Sequence, residues 1–131
     1  GHPAACAVAL ANLRILQREQ LVDRIKNDIG PYLQKQWAQL TEHRLVGEAR
    51  MVGLMGAFEI VRDAETLERF DEKVGAGGVF RDHVTAQGLC LRASGDSIIC
   101  APPFILSHSE ADKLIELTWK SLDLAATTLG V

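Results

Sequence analysis

The spacing of apolar residues predicts two helical segments at the start of the chain. From Ala4 to Glu19 the first half is apolar on nearly every side, which predicts a helix buried on several sides. Such a helix needs more surrounding protein than a chain of this length supplies. Leu21 to Thr41 has apolar residues at steps of three and four, the spacing of a helix with one apolar face. Gly30-Pro31 predicts a kink or break there, because proline removes a backbone hydrogen bond.

Four further apolar segments are short enough to be strands. Leu45 to Val52 and Leu54 to Val61 meet at one glycine, and Leu89 to Ala93 and Ser97 to Cys100 flank a Ser94-Gly95-Asp96 turn. Strands joined by such short turns pair antiparallel. We therefore predict an α+β fold, with a small, mostly antiparallel sheet and helices on one face.

The remaining segments predict a loop and two helices. Arg62 to Lys73 is highly charged and is predicted to be an exposed loop or a loose helix. A glycine-rich stretch then leads into a short helix, Val79 to Gln87, which Gly88 ends. Ser107 to Glu110 has the S-x-x-E spacing of a capping box, so the last helix is predicted from about Ser109 to Ala126.

Composition narrows the class of protein. The chain has 131 residues, about one domain, with 47% hydrophobic and 24% charged residues and a net charge of -3. Nucleic-acid binders are usually basic and no apolar run approaches the roughly 20 residues of a membrane span, so neither partner is expected. Cys6, Cys90 and Cys100 form no CxxC pair, which predicts reduced thiols in a cytoplasmic protein.

Neither a metal site nor a leader is predicted. The four histidines lack ligand spacing. The first residues, Gly1-His2-Pro3, contain no initiating methionine and no signal-peptide pattern. A tag remnant and an excision from a longer chain both fit this start.

Arg92 is the candidate for binding chemistry. It stands beside the predicted tight turn, between apolar Leu91 and Ala93. A guanidinium group there can bind a carboxylate through two parallel hydrogen bonds, which lysine cannot do. By pattern alone, a surface arginine or one paired with Asp96 is the more frequent interpretation.

The segment Leu91 to Ile105, LRASGDSIICAPPFI, resembles the substrate-carboxylate segment of class III pyridoxal-phosphate aminotransferases of the omega branch. That family has a motif R-x-x-G-(D/Q), apolar residues and then P-P, which here begins at Arg92. Gly1-His2-Pro3, before an alanine-rich helix, resembles the family's G-x-P turn. Val46 to Met55 resembles its V-x-x-x-R-x-x-G-L segment, in which we interpret Arg50 as an arginine that orders the strand turn.

The resemblance implies the C-terminal part of a fold type I enzyme. Residues 1–20 would be the helix that ends the large cofactor domain, and residues 21–131 the small C-terminal domain. Arg92 would bind the substrate carboxylate, and Gly1 and His2 would lie near the cofactor phosphate of the partner in a homodimer. The parent enzyme would move an amino group between an amine or amino acid and a keto acid.

The resemblance also implies that the catalytic lysine is missing. Pyridoxal-phosphate chemistry needs a lysine for the Schiff base, and in this family it precedes the G-x-P turn. None of the lysines present has that context, so the chain alone is expected to be inactive: Lys26, Lys35, Lys73, Lys113, Lys120. A related decarboxylase or aminomutase and a free-standing binding module remain as alternatives.

Overall fold

Helices, a hairpin, a helix, a second hairpin and a last helix follow one another along the chain. The computed structural model describes residues 1–131. Its helices and strands are α1 (Pro3–Arg18), α2 (Leu21–Arg24), α3 (Gly30–Ala38), β1 (Val46–Val52), β2 (Met55–Ile60), α4 (Ala76–Ala86), β3 (Arg92–Ser94), β4 (Ser97–Cys100) and α5 (His108–Leu129). A π-helical turn, Ile25–Ile29, joins α2 to α3, and a 3-10 turn, Gln39–Glu42, follows α3.

The four strands form one sheet in the order β1-β2-β4-β3, and every neighbouring pair is antiparallel. Both hairpins turn at a glycine in the left-handed region, Gly53 (φ +60°) and Gly95 (φ +59°). Glycine adopts that conformation without steric cost. The predicted α+β fold with a small antiparallel sheet is confirmed.

The core lies on one face of this sheet, against α3, α4 and α5. Phe58 of β2 is fully buried between Trp37 of α3 and Phe80 of α4, with ring centroids 5.7 Å and 5.3 Å away. Each large side chain buried in this way contributes about 1.5–3 kcal/mol. The opposite face carries no helix, and the candidate site lies there.

The helix predicted from Leu21 to Thr41 does not break at Gly30-Pro31. It continues through the π turn, in which the Gly30 N–H donates to the carbonyl oxygen of Ile25, five residues back. A Cβ at Gly30 would overlap that oxygen. The wider turn accommodates Pro31, which has no N–H to donate.

The predicted burial of the first helix is wrong for this chain. No residue of α1 is buried, and Val8 is 70% and Leu10 55% exposed. The helix projects from a left-handed residue, Gln20 (φ +49°), and packs mainly on α2. Most of its large apolar side chains are therefore exposed in this chain: Val8, Leu10, Leu13, Ile15.

The third strand is shorter than predicted and starts at Arg92, not at Leu89. The Leu89 N–H donates to Val84 O and so completes the end of α4. Its partner strand, β4, has the predicted bounds, Ser97–Cys100. Beyond Cys100, Pro102 and Pro103 have no N–H to donate.

The helix α4 begins earlier than predicted, and α5 ends later than predicted. α4 begins at Ala76 and not at Val79, because Gly75 adopts a left-handed conformation (φ +63°) before it. α5 extends to Leu129, where Gly130 ends it, and its predicted capping box at Ser107 and Glu110 is present. None of the helices has the length and apolar character needed to span a bilayer.

The charged segment from Arg62 to Lys73 is a loop, not a helix. Asp63 and Glu68 form an isolated antiparallel bridge within it. The Asp63 carboxylate also accepts the N–H groups of Glu65 and Thr66, at 2.8 and 3.0 Å. These local bonds replace helical ones.

Candidate functional site

One row of residues crosses the open face of the sheet from edge to edge. Arg50 of β1 is opposite Ala57 of β2, Ala57 is opposite Ile99 of β4, and Ile99 is opposite Arg92 of β3. Directly opposed residues point to the same side of a sheet. Arg50 and Arg92 are therefore the two ends of this row, and their backbones are separated by three strand spacings, or about 14 Å.

Arg50, at one end of the row, is neutralised by acidic side chains. Its guanidinium group lies 3.2 Å from Glu48 Oε2 and 3.2 Å from Glu59 Oε1. The Ser97 hydroxyl donates to the same Glu59 oxygen over 2.6 Å. The hydrogen bond from Ser97, and then Arg50, lower the pKa of Glu59, although partial burial raises it. This pairing supports the structural role predicted for Arg50.

The side chain of Arg92, at the other end, is exposed and makes no hydrogen bond or ion pair within residues 1–131. Asp96 is the acidic residue nearest to Arg92 in the sequence. Its Oδ1 instead accepts the N–H of Gly77 over 2.9 Å. The interpretation of Arg92 as one half of a pair with Asp96 is therefore wrong. All five guanidinium N–H donors stay available for a ligand.

A shallow, mainly apolar depression lies on this face, toward the Arg50 end of the row. It has a volume of about 720 Å³, and Arg92 is not among the residues that line it: Arg50, Met51, Val52, Met55, Gly56, Ala57, Ser94, Ser97, Ile99. Ile99 is the residue directly opposite Arg92. The apolar surface of the depression therefore reaches the strand next to Arg92.

Gly1 and His2 lie apart from that depression, at the start of α1. No residue of the range 1–20 lines it. Both are exposed, and His2 precedes the helix without a side-chain cap. The first turn of α1 holds no acidic residue. Its free backbone N–H groups are compatible with an anion such as a phosphate.

The lysines do not fit the Schiff-base role. All five are exposed, on helices, on the π turn or in the charged loop. Lys113 pairs with Glu116 at 2.9 Å. None lines the depression on the open face of the sheet. No group of three or more His, Cys, Asp or Glu side chains is placed to hold a metal ion either.

Sequence reasoning singled out Arg92 but missed the residues that leave it free. Glu59 lies in the middle of an apolar strand, and only the register shows that it faces Arg50. Gly77 carries no side chain and gives no chemical signal. Only Asp96 stood out in the sequence, and its closeness to Arg92 suggested an ion pair with that arginine rather than a hydrogen bond with Gly77.

The fold is a small antiparallel sheet with one open face, on which Arg92 is unpaired, and similarity gives the family of the chain. The class III aminotransferase model matches residues 1–122. The chain is 46% identical over 129 residues to putrescine–pyruvate aminotransferase of Pseudomonas aeruginosa, covering 98% of this chain and 28% of that protein. It is 34% identical over 122 residues to the mitochondrial gamma-aminobutyrate transaminase 1 of Solanum lycopersicum, covering 93% and 24%.

Solved structures agree with this assignment. The omega-transferase of Vibrio fluvialis JS17 superimposes with a TM-score of 0.93 at 28% identity, covering 100% of this chain and 31% of that one. A thermostable (S)-enantioselective omega-transaminase from Thermomicrobium roseum has a TM-score of 0.88 at 38% identity, covering 95% and 28%. The chain belongs to the class III aminotransferase family. It corresponds to the C-terminal part of these enzymes and spans 28% and 24% of the two sequence relatives.

Proposed function

We propose that the chain is part of an aminotransferase that moves an amino group between an amine or amino acid and a keto acid, and that Arg92 binds the substrate carboxylate. The observation that carries this proposal is the unpaired, exposed guanidinium group of Arg92, whose cross-strand neighbour Ile99 lines an apolar depression. A bidentate pair between arginine and a carboxylate fixes orientation as well as affinity. A reaction at the neighbouring carbon depends on that orientation.

For the substrates, we propose a diamine of the putrescine type as donor and pyruvate as acceptor. The Pseudomonas relative with this specificity in its name is 46% identical to the chain, against 34% for the tomato gamma-aminobutyrate enzyme. The row on the open face also favours an acid with one carboxylate. Arg50 is already paired with Glu48 and Glu59, which leaves one free arginine.

For the cofactor, we propose pyridoxal phosphate held mainly by the rest of the parent enzyme. A related aminotransferase from Vibrio fluvialis is described in its PMP-bound form. The cofactor, when bound, supplies the electron sink for chemistry at the amine carbon. The exposed lysines of this chain do not suit that site, so no step of the reaction is assigned to them.

For the assembly, we propose a cytoplasmic homodimer of the omega type, in which residues 1–20 complete the large domain and residues 21–131 form the small one. The exposed apolar side chains of α1 support this division, because such a surface needs covering. The uncapped start of α1 supports the placing of Gly1 and His2 near the partner's cofactor phosphate.

Aminotransfer is favoured over the alternatives by the relatives. The two sequence relatives described above are both named as aminotransferases or transaminases, not as decarboxylases or aminomutases. The match of the family model along residues 1–122 also favours an enzyme segment over a free-standing module.

The experiment is product analysis with the full-length enzyme. Incubation with putrescine and pyruvate is expected to yield alanine, and omission of the diamine is expected to abolish it. A matched reaction with 2-oxoglutarate tests the preference for a single carboxylate. Release of carbon dioxide, or isomerisation of the amino acid without transfer to any keto acid, would contradict the proposal.

A further inference from the structure

The strand that carries Arg92 is short, so its position depends on the turn that follows it. β3 has three residues, all paired with β4, and it forms an edge of the sheet. A segment with so few backbone hydrogen bonds opens easily unless other contacts hold it. The turn between β3 and β4 supplies those contacts.

This turn rests on the N-terminus of α4. The Gly77 N–H donates to Asp96 Oδ1 over 2.9 Å, and the Asp96 carbonyl oxygen accepts the N–H of Ile60, also over 2.9 Å. A Cβ at Gly77 would overlap the carbonyl oxygen of Gly95. Only glycine permits so close an approach of helix and turn. The turn is therefore fixed between α4 and the end of β2.

The hydrogen bond between Gly77 and Asp96 also occupies the acidic residue that is nearest to Arg92 in the sequence. A carboxylate at a helix N-terminus is stabilised by the helix dipole and by the N–H that it accepts. Because Asp96 is bound to α4 in this way, it does not pair with Arg92.

We infer that Asp96 and Gly77 are positioning residues for Arg92: they hold the β3–β4 turn against α4 and so present the guanidinium group unpaired to the substrate carboxylate. The inference rests on the proposed function, in which Arg92 binds that carboxylate. Asp96 and Gly77 act through the turn and make no contact with substrate.

The test is steady-state kinetics of the full-length holoenzyme. Asp96→Ala is expected to raise KM for pyruvate about 10- to 100-fold, since a misplacement on the order of 1 Å costs up to about 100-fold, and to leave KM for putrescine unchanged. Asp96→Asn keeps an oxygen that can accept the Gly77 N–H, so it is expected to recover most of this loss.

The matched control is Asp63→Ala. Asp63 also accepts backbone N–H groups in a turn, from Glu65 and Thr66, but it lies in the charged loop and not beside β3. We expect both KM values of this variant to equal those of the wild type. Gly77→Ala tests the positioning role from the α4 side, and keeps it testable if Asp96→Ala does not fold. Its expected result is the same selective rise in KM for pyruvate.

A double variant separates this inference from the proposed function. If Asp96 acts through Arg92, adding Asp96→Ala to Arg92→Ala raises KM for pyruvate no further. Additive effects, or an equal rise in KM for pyruvate and putrescine in Asp96→Ala, overturn the positioning role and leave the role of Arg92 intact. If Arg92→Ala alone affects both substrates equally, the proposed function itself fails.

Discussion

Arg50 and Arg92 lie at opposite ends of one row across the open face of the sheet, and only Arg50 has partners. The next row on the same face explains the difference. Its two acidic residues, Glu48 and Glu59, lie beside Arg50, and its two serines, Ser97 and Ser94, lie toward Arg92. The sheet thus pairs one arginine with its own acidic side chains and leaves the other unpaired.

The first prediction contrasts the contributions of these two arginines to stability. Arg50→Ala is expected to lower the free energy of unfolding by roughly 0.5–1 kcal/mol, because it removes an exposed ion pair with Glu48 and a partly buried one with Glu59. Arg92→Ala is expected to change it by less than about 0.5 kcal/mol, since Arg92 has no partner to lose. Urea unfolding of both variants measures the difference. A larger loss for Arg92→Ala would mean that this side chain is structural.

The second prediction concerns the π turn. Gly30→Ala is expected to destabilise the protein by about 1–3 kcal/mol, because its Cβ would be driven into the Ile25 carbonyl. Gly78→Ala is the matched control: its Cβ meets nothing within 4 Å, in α4. Alanine there is expected to be neutral or to stabilise by up to about 1 kcal/mol.

Circular dichroism during chemical denaturation provides the unfolding free energies of both glycine variants. Equal midpoints for Gly30→Ala and the wild type would show that the helix can adopt an ordinary turn there, and the account of the π turn would then be wrong.

Local patterns were enough to predict most elements of the fold. Short apolar segments on either side of a glycine turn predicted both hairpins, and S-x-x-E spacing predicted the start of α5, because each depends on neighbours in sequence. The row from Arg50 to Arg92 was not predictable in this way. It requires the strand order β1-β2-β4-β3 and its register, which place residues more than forty positions apart on one line.

The first helix shows the opposite limit. Its all-round apolar pattern predicted burial, yet Val8 and Leu10 are exposed in this chain. An apolar pattern reflects the environment that a helix has in the whole protein. This chain spans less than a third of its relatives' length, so that environment is not represented in it.

The third prediction concerns His43 and the dependence of stability on pH. This histidine is buried, its Nδ1 accepts the N–H of Leu45 over 3.1 Å, and its ring contacts Trp119 edge to face. Burial lowers the pKa of His43 below its usual range, although the nearby Asp123 opposes this. As the pH falls below about 6.5, the unfolded chain binds a proton that the folded protein does not.

Stability should therefore decrease as the pH falls from about 6.5 through the lower pKa of the folded state. His43→Asn offers an acceptor for the Leu45 N–H that does not titrate, so its stability is expected to change less over this window. Urea midpoints at about pH 7.5 and about pH 5.5 make the comparison. Identical losses in the variant and the wild type would assign the pH dependence to other groups.

The most direct test is to measure the two half-reactions of the full-length holoenzyme separately: the pyridoxal form with putrescine, and the pyridoxamine form with pyruvate. Arg92→Ala should lower kcat/KM for pyruvate by about 10- to 100-fold, the value of a charged hydrogen-bonded contact, and leave kcat/KM for putrescine unchanged. Arg92→Lys should fall in between, because it keeps the charge and loses the bidentate geometry. An equal loss for pyruvate and putrescine, or no loss for pyruvate, would contradict the claim that Arg92 binds the substrate carboxylate.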